Sequence, residues 1–203
     1  MSTVRGADGK RRCAWPNSDE MRAYHDKEWG TPKRDERRHF QFLVLESAQS
    51  GLSWSLVWSK REGYRKAFAD WDARKVARFD ARRITRMLLD PGIVRNRLKV
   101  TSAVRNAKAF LEVQREFGSF DGYLWRFAPK RRRAPRDLSE LPAKSAESEA
   151  VAKDLKARGF SFLGPIVMYS HLQAVGVVND HVVGCFRRAE VERLRADRRV
   201  KAA

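Results

Sequence analysis

Two short stretches near opposite ends of the chain hold both of its cysteines and two of its four histidines. The first runs from Cys13 to Gly30 and contains Tyr24-His25-Asp26 and Glu28-Trp29-Gly30. The second is Val178-Asn179-Asp180-His181-Val182-Val183-Gly184-Cys185. Two thiols and two imidazoles make a complete tetrahedral set for Zn2+. His181 and Cys185 stand four apart, so one helical turn would aim both at one ion. Two other readings stay open at this level. Buried cysteines often do no more than pack, and the Cys-x11-His spacing matches no common zinc finger. A Cys13–Cys185 disulfide would need an oxidising compartment, and no secretory signal is read.

A length of 203 residues suits one domain or two small lobes, and 42% hydrophobic residues can bury a real core. No apolar run approaches a membrane span, which predicts a soluble cytoplasmic protein without a membrane partner. The formal charge is +18; the end segments 1–12 and 187–203 carry +3 and +4 of it, leaving +11 on the body. A polyanion, and nucleic acid first, is the natural partner of such a body. The plainer reading is a solvated Arg-rich surface.

Periodicity predicts helices throughout and no strand, hence an all-α class. Residues 1–12 read as a basic flexible tail and 187–203 as an Arg-rich C-terminal tail. Asn17, with Glu20 three residues on, predicts the start of a helix carrying Tyr24 and His25. Asp35 predicts the cap of a helix through Phe40, Leu43 and Val44 to Gln49 that is apolar on most sides, as in a buried helix. Ser53–Ala69 is predicted as one helix, with Trp54, Val57, Trp58, Arg61 and Phe68 near one face. Asp72 and Asp80 predict caps of two short helices, and Asp90-Pro91-Gly92 a break. A long helix is predicted from about Asn96, then a short aromatic one past Gly118. Pro129–Pro142 reads as an irregular basic loop, either solvated or touching DNA. Ser145 and Gly164-Pro165 predict the starts of the last core helices.

Several blocks in order resemble the bacterial DNA-3-methyladenine glycosylase I family, within the helix–hairpin–helix glycosylase superfamily. They are Tyr24–Gly30, Leu45–Trp54 (LESAQSGLSW), Lys60–Arg65, Arg158–Gly164 and Asn179–Cys185. The resemblance covers about 13–186 as a single glycosylase domain. It implies a helix–hairpin–helix lobe near 35–115 and a terminal lobe of 13–34 plus 116–186. It implies one structural Zn2+ on Cys13, His25, His181 and Cys185, tying the two ends together. Leu89–Asn96 is similar to the hairpin of base-excision glycosylases, with Gly92, Arg95, Arg97 and Lys99 expected on the DNA backbone. There a glycine allows close approach, and the free amides of a helix start favour an anion. Asn96 stands where strand-cleaving relatives carry a Schiff-base lysine, so strand cleavage is not expected.

Glu46 ends an apolar helix beside a Gly-Leu turn, where a carboxylate is costly unless partnered or turned to water. The resemblance places it in a base pocket as the catalytic residue, with Tyr24, Trp29, Trp54 and Gln49 around the base. It implies that Gly51 and Leu52 enter the duplex and fill the gap left by a flipped base. The implied activity is hydrolysis of the N-glycosidic bond of 3-methyladenine in double-stranded alkylated DNA by a monomer. Adenine methylated on N3 is cationic, so electron-rich rings and a carboxylate suit it. A non-catalytic zinc-stabilised DNA-binding protein, or a glycosylase for another lesion, remain the alternatives. Ile166 departs from a frequent family threonine.

Overall fold

In a computed structural model, residues 2–130 and 132–200 are described, without the side chains of 199 and 200. Arg131 of the basic loop and residues 201–203 of the predicted tail lie outside the described residues. The elements are β1 (Thr3–Arg5), β2 (Arg11–Cys13), α1 (Asp19–Lys27), α2 (Glu36–Gln49), α3 (Trp54–Ser59), α4 (Arg61–Ala67), α5 (Ala73–Val76), α6 (Ala81–Met87), α7 (Arg97–Phe117), α8 (Phe120–Trp125), α9 (Ala146–Ala157), α10 (Pro165–Ala174) and α11 (Arg187–Val200). The protein is therefore mostly helical, as expected.

The central element is α2. From His39 to Ala48 every residue is buried, and the helix packs against α3, α7, α8 and α10. Asp35 caps it through Arg37 N, as predicted. The Asp72, Asp80 and Ser145 caps also hold, and Asn96 caps α7 through Lys99 N. At α1 the cap is Ser18, one residue past the predicted Asn17; its hydroxyl accepts from Met21 N. The predicted Ser53–Ala69 helix is two helices, because the chain leaves helical geometry at Lys60. That bend presents Gly63 to the α6–α7 turn. A Cβ on Gly63 would lie 2.2 Å from the Gly92 carbonyl oxygen, so only glycine permits this approach.

Among the described residues both end segments form regular structure where tails were predicted. Residues 3–13 form a two-stranded antiparallel hairpin with Val4 opposite Arg12. Gly9 turns it at φ +76. Strands of three residues are too short to show alternation. At the other end α11 turns Arg187, Arg195 and Arg198 inward. Arg195 donates to the Gly176 and Val177 carbonyls at 3.2 and 2.7 Å. Arg198 reaches Asp121 Oδ2 at 2.6 Å, and Arg187 donates to Thr31 Oγ1 at 2.7 Å. A stripe of buried arginine around Val191 holds this helix, so a reading of apolar period could not see it.

Candidate active site and metal centre

The hairpin delivers Cys13, α1 delivers His25, and the loop after α10 delivers His181 and Cys185. Phe186 N donates to the Arg11 carbonyl at 2.9 Å, lacing the two chain ends together beside the cluster. All four side chains are buried, and their ligand atoms lie within 4.8 Å of one another. Cys185 Sγ is 3.5 Å from His25 Nε2 and 3.4 Å from His181 Nδ1; Cys13 Sγ is 3.8 Å from His181 Nδ1. Metal–sulfur bonds of about 2.3 Å and metal–nitrogen bonds of about 2.05 Å at a tetrahedral angle put S and N about 3.6 Å apart. The spacing thus fits one tetrahedral ion. The thiols are free, so the disulfide alternative fails.

The outer partners fit as well. The other nitrogen of His25 faces Asp26 Oδ1 at 2.8 Å, and that of His181 faces the Trp29 carbonyl at 3.2 Å. Each fixes a tautomer that leaves the remaining nitrogen free to ligate. Arg12 Nε holds Asp26 at 2.9 Å. Burial lowers the His181 pKa, favouring the neutral ring a ligand needs. The Cys13 hydrogen bond holds the Cys185 thiol far below its usual range, while Cys185 and burial push Cys13 up.

Beside the cluster is a cavity of about 350 Å3 lined by Trp15, Tyr24, Trp29, Glu46, Gln49, Trp54, Leu138, Leu141, Ser170 and Gln173. Trp15 and Trp29 belong to both sites. Their rings are 5.2 Å apart, and Trp29 stands 4.7 Å from His181. Tyr24 is 4.2 Å from Trp58 and 5.6 Å from Trp54 between centroids. Glu46 projects from α2 with 4% of its surface exposed. Burial alone raises its pKa from 4.5 to about 8. Burial, then the nearby Glu46, raises that of Tyr24 and keeps the phenol neutral. The indole N–H groups of Trp15 and Trp54 are buried with no hydrogen-bond partner among the described residues. A flat, cationic heterocycle would find rings for its faces and an unspent carboxyl for its edge.

The cavity brings together Glu46, Tyr24, Trp29, Trp54 and Gln49 from the sequence reading. That reading missed Trp15, Leu138, Leu141, Ser170 and Gln173. Trp15 carried a signal, lying two residues past a proposed ligand; the leucines, in a loop read by its charge, carried none. Ile166 is 61% exposed on the first turn of α10 and lies outside the cavity lining.

Gly51 and Leu52 form the α2–α3 turn, Gly51 at φ +78 and exposed. Gln49 Nε2 braces the turn on the Leu52 carbonyl at 2.7 Å. At the α6–α7 hairpin, Lys60 Nζ donates to the Pro91 carbonyl at 2.7 Å and Tyr64 OH accepts from Val94 N at 3.2 Å. Arg95 and Arg97 are exposed there, Gly92 half-buried. Lys99 differs: its ammonium donates to the Ala48 and Ser50 carbonyls, binding the hairpin helix to the α2–α3 turn.

The sequence model of the methyladenine glycosylase family matches residues 15–188. DNA-3-methyladenine glycosylase 1 of Escherichia coli (strain K12) is 41% identical over 177 residues, covering 86% of this chain and 95% of that protein. A crystal structure of 3-methyladenine DNA glycosylase I superposes with TM-score 0.82 at 39% identity, over 86% of this chain and 98% of that one. A variant of 3-methyladenine DNA glycosylase I in complex with 3-methyladenine gives TM-score 0.81 at 33% identity, over 85% and 94%.

Proposed function

The chain belongs to the methyladenine glycosylase family, and from that premise we propose that it excises 3-methyladenine from alkylated double-stranded DNA, in base excision repair in the bacterial cytoplasm. The observation that carries this reading is the aromatic cavity closed by a buried, unpaired carboxyl.

The target base must leave the stack to be reached, which costs a few kcal/mol and least where pairing is already weakened. Leu52 beside Gly51 fills the gap behind it. Gly92, Arg95 and Arg97 hold the backbone, which positions the duplex without reading its sequence. In the cavity the cationic base lies against Tyr24, Trp29, Trp54 and Trp15, while Gln49 holds the turn at the rim. Its charge favours the ionised form of Glu46, whose proton passes to solvent as the base enters, and the carboxylate then accepts from the exocyclic amine. The glycosidic bond breaks with its electron pair passing to the ring, so the base departs neutral. A water oxygen bonds to C1′ of the sugar and loses its proton to solvent. No protonation of the leaving group is needed, so differential binding of the charged, stretched state supplies the catalysis. Asn96, spent as the cap of α7, offers no amine for strand cleavage.

Zn2+ is the ion we assign to Cys13, His25, His181 and Cys185. Four protein ligands leave no open position, so its contribution is to fix the fold. Through Trp15 and Trp29 the same residues set two walls of the cavity. Base release from methylated duplex tests the site: Glu46→Gln and Trp54→Ala should each slow it at least about tenfold, roughly the worth of one desolvated cation contact. Wild-type rates in both would overturn the assignment.

A further inference from the structure

The loop of residues 132–142 supplies Leu138 and Leu141 to the cavity. Its main anchor is Arg132. The guanidinium grips Asp180 with both ends of its fork, Nε to Oδ1 at 2.9 Å and Nη2 to Oδ2 at 3.2 Å. It also donates to Tyr169 OH and lies 5.4 Å over that ring. The Asp180 side chain is fully buried, that of Arg132 only 20% exposed. The same carboxylate accepts from Tyr169 OH at 2.5 Å and from Gln173 Nε2 at 2.8 Å, and Gln173 lines the cavity. Further along, Val183 N donates to the Pro135 carbonyl at 2.8 Å, and Ser2 Oγ donates to Asp137.

We propose that Arg132 is a positioning residue that straps this loop to Asp180, making Leu138 and Leu141 a specificity-determining wall against the bound base. The proposal rests on the base-excision reading above. A bidentate guanidinium–carboxylate pair fixes orientation as well as distance, which a point charge does not. The strap thus sets how closely two aliphatic side chains meet a ligand in an otherwise aromatic and polar cavity. They exclude water from beside Glu46, strengthening its attraction for a cationic ring. The basic run is therefore a fastening at Arg132, while Arg133 and Arg136 remain exposed.

The test titrates free 3-methyladenine into the metal-loaded full chain, followed by tryptophan fluorescence. Arg132→Gln should weaken binding about tenfold, the scale of a small misplacement of a binding group. Arg132→Lys, which keeps a charge against Asp180, should recover part of that loss. Leu141→Ala should cost about tenfold in the wild-type background. It should cost no more than about twofold once Arg132 is glutamine, since both changes remove one wall. Metal content should stay at wild-type level throughout. Equal affinity of wild type and Arg132→Gln, or fully additive losses, would overturn the strap. If Arg132→Gln fails to fold, Arg132→Gln with Asp180→Asn removes the unpaired buried charge and faces the same criteria. A folded wild type that binds no 3-methyladenine would instead overturn the base-excision reading, and the proposal with it.

Discussion

Replacing Glu46 with glutamine should stabilise the protein, and increasingly so as pH rises. The carboxyl is buried and its pKa is raised from 4.5 to about 8 by burial alone. Between those values the folded state keeps a proton that the unfolded chain releases. Stability is therefore fully present below about pH 4.5 and falls by about 1.4 kcal/mol per pH unit until about pH 8. The accumulated cost is about 3 kcal/mol at pH 7 and about 5 kcal/mol above pH 8. Glutamine carries no such proton, and its own burial cost does not change with pH. All other ionisable groups are common to the two proteins, so the difference between them isolates Glu46. Urea unfolding of wild type and Glu46→Gln, metal-loaded, at pH steps from 5 to 8.5 gives the difference directly. Curves that diverge with pH are the expected result. A constant difference would mean that Glu46 titrates as an ordinary carboxylate, and the desolvated acid that gives the cavity its preference for a cation would be gone. The same variant is expected to slow base excision, so this site would trade stability for function.

Other perturbations follow from the same contacts. Asp26→Asn weakens the partner of His25 and should lower metal affinity about 10–100-fold in a chelator competition; unchanged affinity would contradict the tetrahedral site. Gly63→Ala drives a methyl into the Gly92 backbone and should cost about 1–3 kcal/mol of stability. It should also weaken duplex binding by anisotropy while leaving free-base binding intact; equal losses in both would separate the hairpin from the DNA contact. Arg198→Ala leaves Asp121 buried against His39 alone and should cost about 3–5 kcal/mol in chemical unfolding. A loss under about 0.5 kcal/mol would show that α11 is not docked as described.

What the sequence made legible was whatever rests on rare residues or on local capping chemistry. Two cysteines and two of four histidines in two short stretches pointed to one centre, and the structure gathers all four. Asp35, Asp72, Asp80, Asn96 and Ser145 announced helix starts because a short oxygen side chain does the same work wherever it sits. Neighbouring candidates blur that signal, and Ser18 took the place of Asn17. The bend at Lys60 was hidden because its cause, the Gly63–Gly92 approach, is tertiary. The closing helix was hidden because its inward face is arginine, paired with carbonyls and with Asp121 from distant segments. Leu138 and Leu141 were hidden because nothing local shows that Arg132 turns inward.

Incubating the purified protein with methylated duplex DNA, then resolving the released bases beside an alkali-free gel of the strands, tests the central claim most directly. Free 3-methyladenine from DNA whose backbone stays unbroken is the predicted result. Tight duplex binding with no base released would contradict it, leaving a zinc-stabilised DNA-binding protein on the same scaffold.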